Sequence, residues 1–408
     1  MRLLFLTPQL PYPPHKGTAL RNFNLIKNLA PHHETHLLSF VEEEGKLPEA
    51  SPLHELCASI QTVLAPKRSL RQRLRALAFS TLPDIASRLP SALFADKLKA
   101  LLERTQFDVL QVEGLEMAQY YLATSAKLPV IVLDEHNAEY LLQRRAFEVD
   151  SRAPRRWLGA SYSLVQWLKL KNYERRACRR ASAVIAVSEA DRRALLQLDP
   201  GLDITVVPNG VDTEYFHCRP LVQDKDSTGS PTLAFTGTMD FRPNVDAMTW
   251  FCHEVLPPIR SQLPQIRLLI VGQSPAKAVR ELASPAVTVT GPVEDIRPYL
   301  EKAAVYVVPM RMGGGVRLKV LEAMAGGIPV VSTRAGAEGI AVDDGENVLL
   351  ADTAAEFAAK VVEVLTNVSL GRRLAAQGRK LAEAHHDWRL ITPTLEELYA
   401  RLKTKCAA

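Results

Sequence analysis

The chain has 408 residues, more than one hydrophobic core usually organises, so two domains are expected. Hydrophobic residues at 47% and charged residues at 23% are ordinary for a globular protein, and no stretch nears the roughly 18 uninterrupted apolar residues of a membrane span. A net charge of +5 is too small for this length to argue for a nucleic-acid partner.

Short aliphatic runs alternate with helical periodicity along the chain, the pattern of parallel sheets covered by helices. The first run, Leu3 to Thr7, ends at Pro8. That is too early for a secretory leader's apolar core of about 7 to 15 residues, so the run is read as a buried strand. Ala19, Phe23, Ile26 and Ala30 then recur at helical spacing over Thr18 to Ala30, with Thr18 as the cap. Further strands are expected at Thr35 to Val41, Asp108 to Val112, Val130 to Leu133, Ala183 to Val187 and Thr205 to Val207. Their near-continuous apolar character suits burial on both faces. Two basic stretches interrupt this half. One runs from Lys67 to Leu77 through Arg68, Arg71, Arg73 and Arg75; the other carries Arg152, Arg155, Arg156, Lys169, Lys171, Arg175, Arg176, Arg179 and Arg180 among Trp157, Tyr162, Trp167 and Leu168. Such segments suit either a solvated helix face or peripheral contact with an anionic membrane. The five cysteines are scattered and show no Cys-x-x-Cys or zinc spacing, as expected of a reduced cytoplasmic protein without structural metal.

The pattern restarts after the turn from Pro208 to Asp212 and the polar stretch from Gln223 to Pro231. Strands are expected at Leu233 to Phe235, Arg267 to Val271, Val287 to Val289, Val305 to Val308 and Val330 to Ser332. Helices are expected around Val245 to Val255, Val316 to Ala325 and Ala354 to Leu365. An α/β protein with two Rossmann-like domains follows, at 1–214 and 215–385, with a helical segment at 386–408 that could pack back on the first domain. Ligands of such sheets sit beyond the carboxyl ends of the strands, so two facing parallel sheets would enclose a cleft fed by loops from both.

The most informative loop follows the expected strand Val305 to Val308. Gly313, Gly314 and Gly315 let the backbone approach a ligand closely, and Val316 leads into a helix whose unpaired amides suit a diphosphate. Arg317 and Lys319 add full positive charge at that helix start. Glu322, three residues beyond Lys319, could accept hydrogen bonds from two ribose hydroxyls. A glycine-rich loop beside a Lys319–Glu322 surface pair is the plainer alternative. Neither half shows Gly-x-Gly-x-x-Gly after its first strand, and no Gly-Lys-Ser/Thr ending marks a nucleotide-hydrolysing loop.

The segment Leu321-Glu-Ala-Met-Ala-Gly-Gly-Ile-Pro-Val-Val331 resembles the donor-binding region of the family-4 (group 1) retaining glycosyltransferases of the GT-B fold. Val187-Ser-Glu189, Val207-Pro-Asn-Gly-Val-Asp212 with Phe216, Phe235-Thr-Gly237 and Gly291 to Asp295 match in order. The resemblance implies a metal-independent enzyme, with no cofactor, that moves a sugar from a UDP- or GDP-sugar to a glycan or lipid-linked acceptor. It also implies a first domain on the acceptor side, a second binding the nucleotide sugar, and a place in bacterial exopolysaccharide or cell-surface glycan assembly. Together with the chemistry of the loop and helix start, it places Gly17, Gly237, Gly313, Gly314, Gly315, Val316 and Glu322 at the donor, and Arg317, Lys319 and His136 in catalysis. Two departures stand out. Gly314 occupies the position of the family's first glutamate, and the Arg and Lys usual after Gly237 are replaced by Thr238, Met239 and Asp240, so Arg317 and Lys319, with Arg242 in reserve, are expected to supply that charge. Asp134, Glu135, Asn137 and Glu139 around His136 are candidates for acceptor contacts or for capping the next helix. The alternatives are a sugar-nucleotide epimerase on the same fold and a non-catalytic nucleotide-sugar-binding subunit.

Overall fold

The computed structural model describes residues 1–14, 17–42, 51–69, 71–72, 80–124, 128–151, 157–217, 230–312 and 316–407. They form two compact units, Met1–Pro208 with Ile391–Ala408, and Asn209–Leu390.

The first unit is built on a seven-stranded sheet: β1 (Arg2–Thr7), β2 (Glu34–Val41), β3 (Ser59–Leu64), β4 (Val109–Glu113), β5 (Val130–Glu135), β6 (Ala183–Ala186) and β7 (Ile204–Val206), in the order β3-β2-β1-β4-β5-β6-β7. Every pairing in it is parallel, and β1 lies between β2 and β4, with Leu3 opposite Thr35 and Val109. Leu3, Leu4, Phe5 and Leu6 are wholly buried, as a central strand covered on both faces requires. The expected strands lie where their aliphatic runs placed them, to within two residues. β3 carried no such run. As an edge strand with half-exposed residues it reads Ser-Ile-Gln-Thr-Val-Leu and needs few apolar side chains.

The first helix spans Gly17–Leu29, so Gly17 opens it and Thr18 sits inside rather than capping it. On its buried face Arg21 is 1% exposed and bonds Asp134 Oδ2 through Nε (2.9 Å) and Nη2 (2.8 Å). The same guanidinium donates to the carbonyls of Pro208 (3.1 Å) and Val207 (3.0 Å), fastening this helix to the end of β5 and to the residues after β7. Residues from Ile391 onward, most of the helix Trp388–Ala407, belong to this unit, and buried Tyr399 donates its hydroxyl to Gln111 Oε1 on β4 at 2.8 Å.

Of the two basic stretches, residues 70, 73–79 and 152–156 lie outside the described residues. The remainder of the second forms the helix Trp157–Arg180, which leaves Trp157, Tyr162, Val165 and Leu168 exposed. No helix among the described residues is long and apolar enough to cross a membrane.

The second unit has a six-stranded parallel sheet: β8 (Thr232–Thr236), β9 (Arg267–Val271), β10 (Val287–Val289), β11 (Val305–Val308), β12 (Val330–Ser332) and β13 (Leu349–Leu350), in the order β10-β9-β8-β11-β12-β13. β13, only two residues long, gave no readable run. The helix after β8 starts at Arg242, three residues before the expected Val245, and passes at Trp250 into a π-helical turn over Phe251–Val255. Trp250 and Phe251 both pack edge-on to Phe357 in the core. The segments at the two ends of this unit are stapled together: Val211 N donates to the His386 carbonyl at 2.7 Å, and Thr213 and Arg389 both bond the Asp387 carboxylate.

Candidate active site

In the second unit, charge gathers where β8 and β11 end. Gly313, Gly314 and Gly315 lie outside the described residues. Val316 packs against the core, and Arg317 stands at the N-cap of the helix Leu318–Ala325 without a side-chain cap bond. The first amides of that helix are therefore left for backbone, water or ligand. From its first turn Lys319 reaches back to β8. Its Nζ lies 3.0 Å from Asn244 Oδ1 and 3.9 Å from the centre of the Phe235 ring. Asn244, which the sequence reading passed over, is buried in the first turn of the helix Arg242–Trp250 and is anchored by its own donation to the Thr238 carbonyl at 2.9 Å. A polar residue on the inner face of the helix after the first strand was the available signal. Arg242 is exposed at the first residue of that helix.

Gly237 sits between these groups. Its φ of +151° is one that side-chain-bearing residues rarely adopt, and a Cβ there would stand 2.8 Å from both Lys319 Nζ and Asn244 Nδ2. Its backbone is held by its N–H to the Val271 carbonyl at 3.0 Å, while Tyr306 on β11 accepts the Thr236 N–H at 3.0 Å. Burial pushes the Lys319 ammonium down to about 7, with Arg317 adding to the fall and Glu322 opposing it. Burial pushes the Glu322 carboxyl up to about 7, and Lys319 resists. Burial also lowers Arg317, against the pull of Glu338. The Glu322 carboxylate has no hydrogen-bond partner among the described residues. An anion would restore the charge on Lys319 and leave Glu322 free to accept hydrogen bonds.

In the first unit the residues of interest lie at the carboxyl ends of β4 and β5. His136 follows β5, and its Nε2 is 3.0 Å from Glu113 Oε2 at the end of β4. Burial lowers its affinity for a proton, but the Glu113 hydrogen bond and the nearby Asp134 outweigh burial and raise it overall. Glu113, Asp134 and His136 each bring one donor atom within 4.8 Å of the others, close enough for a metal ion. However, Asp134 Oδ2 already holds the Arg21 guanidinium and Glu113 Oε2 already bonds the imidazole. Asp134 Oδ1 has no hydrogen-bond partner among the described residues, so a divalent ion there would compete with the imidazole for Glu113 and sit beside the Arg21 charge. Of the neighbouring polar residues, Glu135 is wholly buried, and burial with nearby Glu174 raises its carboxyl well above the usual range. Capping of the helix Glu139–Ser151 falls to Glu174, whose two oxygens accept the N–H groups of Glu139 (2.9 Å) and Tyr140 (2.8 Å). Glu174 lies far along the chain in the helix Trp157–Arg180, beyond the reach of a local capping pattern. Gly17 is exposed at the first position of its helix.

Two parallel Rossmann-like sheets with these helices define the GT-B class of α/β fold. It is shared with sucrose-phosphate synthase of Thermosynechococcus elongatus (TM-score 0.72, 19% identity, 99% of this chain and 100% of that one). It is shared too with Anabaena HepE, solved in complex with UDP and glucose (TM-score 0.67, 17% identity, 98% and 99%). The model of Glycosyltransferase Family 4 matches residues 16–215 and that of Glycosyl transferases group 1 matches residues 230–367. The chain belongs to the family-4 glycosyltransferases. Among curated relatives, a 44.6 kDa protein of the cps region of Klebsiella pneumoniae is 26% identical over 179 residues, 41% of this chain and 46% of that protein. The phosphatidyl-myo-inositol mannosyltransferase of Mycobacterium leprae is 28% identical over 228 residues, 54% of this chain and 59% of that protein. The chain thus spans about half the length of the curated relatives it matches.

Proposed function

We propose that this chain transfers a hexose from a UDP- or GDP-sugar to a glycan or lipid-linked acceptor, with retention of configuration and without a metal ion. The observation that carries the reading is Lys319, lodged between Gly237, Asn244 and Phe235 at a helix start with Glu322 one turn on. A buried ammonium held partly neutral gains most from a dianionic diphosphate, and that gain grows as negative charge builds on the departing group. Arg317 and the helix amides share that task; Glu322 takes the ribose hydroxyls. Gly17, Gly237, Gly313, Gly314, Gly315 and Val316 give the donor room. His136 donates a hydrogen bond to a sugar hydroxyl, and the departing phosphate takes the acceptor's proton. Anabaena HepE, solved with UDP and glucose, supports a nucleotide-sugar donor, and the cps-region relative supports a role in bacterial surface glycans.

The decisive experiment follows nucleoside diphosphate release from a panel of sugar nucleotides, with and without acceptor, and reads the anomeric configuration of the product by NMR. Release coupled to an α-linked product from an α-donor is expected. A product that remains a sugar nucleotide would favour the epimerase, and tight nucleotide binding without turnover the binding subunit. The exposed Trp157, Tyr162, Val165 and Leu168, followed along the same helix by Lys171, Arg175, Arg176, Arg179 and Arg180, support work at the cytoplasmic face of a membrane. Co-sedimentation with anionic but not neutral vesicles tests this.

A further inference from the structure

The hydrogen-bond network behind His136 is more elaborate than a histidine buried for stability requires. Glu113 is wholly buried at the last position of β4, yet its carboxylate accepts three hydrogen bonds. His136 Nε2 lies 3.0 Å from Oε2, Gln111 Nε2 donates to Oε1 at 2.9 Å, and the Asn22 amide donates to Oε2 at 2.7 Å in the orientation its surroundings require. Gln111 is in turn fixed by the Tyr399 hydroxyl at 2.8 Å. The row therefore runs from the helix Trp388–Ala407 across β4 to the imidazole. Here Nδ1 has no hydrogen-bond partner among the described residues, and the side chain keeps 17% of its surface open at the carboxyl end of the sheet.

We propose that Glu113 is a positioning residue for His136. It holds the Nε2 proton and so leaves Nδ1 as the nitrogen offered to substrate, and its own carboxylate is oriented from the C-terminal helix through Tyr399 and Gln111. The inference rests on the reading that His136 meets the sugar or acceptor. A carboxylate on the far nitrogen fixes the ring's rotation and favours the imidazolium, as it does for histidines elsewhere. The charged groups facing the ring are Glu113 from β4, Asp134 from β5, Arg21 from the first helix and Glu139 from the helix after β5. Asp134 is engaged by Arg21, which leaves Glu113 as the group bonded to the ring itself. His136 would act as a charged donor rather than a base, so activity should fail when the imidazolium loses its proton.

The test uses the full chain with its histidines isotopically labelled. The His136 titration midpoint is followed by NMR and kcat is measured across pH in wild type, Glu113→Gln, Tyr399→Phe and His136→Ala. Glu113→Gln should lower the midpoint by about one unit or more and carry the alkaline limb of kcat with it, so that the loss of turnover relative to wild type is about tenfold greater at pH 8 than at acid pH. Tyr399→Phe should move both in the same direction by less. An unmoved midpoint and limb in Glu113→Gln, with His136→Ala inactive, overturns the positioning role alone. A fully active His136→Ala overturns the role of His136 and with it the inference. Should Glu113→Gln not fold, the near-isosteric Tyr399→Phe decides, and no shift in either readout there overturns the proposal.

Discussion

The helix that carries Lys319 and Glu322 was legible in the sequence, because its apolar positions Val320, Leu321 and Met324 recur at helical spacing and confine the charged residues to its other face. The partners that tune Lys319 were not, since Asn244 and Phe235 lie about 75 and 84 positions away in sequence and meet it only because β8 and β11 are neighbours in the sheet. Lys319→Ala should lower kcat about 100-fold or more while the protein keeps its fold, measured by steady-state release of nucleoside diphosphate. Glu322→Ala should weaken donor binding about tenfold with a smaller effect on turnover, measured by titration calorimetry. The ammonium of Lys319, brought down to about 7, gives a pH signature with a definite sign. Above that pH the free site is mostly neutral at Lys319, and a bound diphosphate draws a proton back. Nucleotide binding at pH 8 should take up roughly one proton, seen in calorimetry across buffers of different ionisation enthalpy, and affinity should fall as pH rises past neutral.

At the scale of elements, the strands buried on both faces announced themselves through uninterrupted aliphatic runs, whereas β3 and β13 at the sheet edges did not, because half-solvated or two-residue strands carry little hydrophobic signal. What joins the elements was hidden altogether. Arg21 reads as one charge on an amphipathic helix, yet it is buried and ties that helix to β5 and to the backbone beyond β7. Arg21→Met should cost about 3–5 kcal/mol in denaturant unfolding, because Asp134 would be left buried and uncompensated, and Asp134→Asn combined with it should recover part of the loss. Gly237→Ala acts on another such junction. Its added methyl meets Lys319 Nζ and Asn244 while straining a φ of +151°, so nucleotide affinity should fall about tenfold or more with a smaller loss of thermal stability.

For the molecule as a whole, the two-sheet α/β plan was readable because the same alternation of run and periodicity occurs twice, with turn residues from Pro208 to Asp212 between. The polar core was not readable, since residues such as Tyr399 and Gln111 gain meaning only once residues 288 positions apart are brought together. The second unit is one continuous stretch, Asn209–Leu390, whereas the first is assembled from both sides of it. Residues 209–390 produced alone should unfold cooperatively and bind nucleoside diphosphate, while a chain ending at Leu390 should lose stability in its first unit, by hydrogen exchange at β4 in particular. During synthesis the order is then fixed by connectivity. The first sheet leaves the ribosome early but waits, with Gln111 lacking its tyrosine, through the making of an entire second domain. The later-born half can settle first, and the earlier one is the longer exposed to chaperones and proteases.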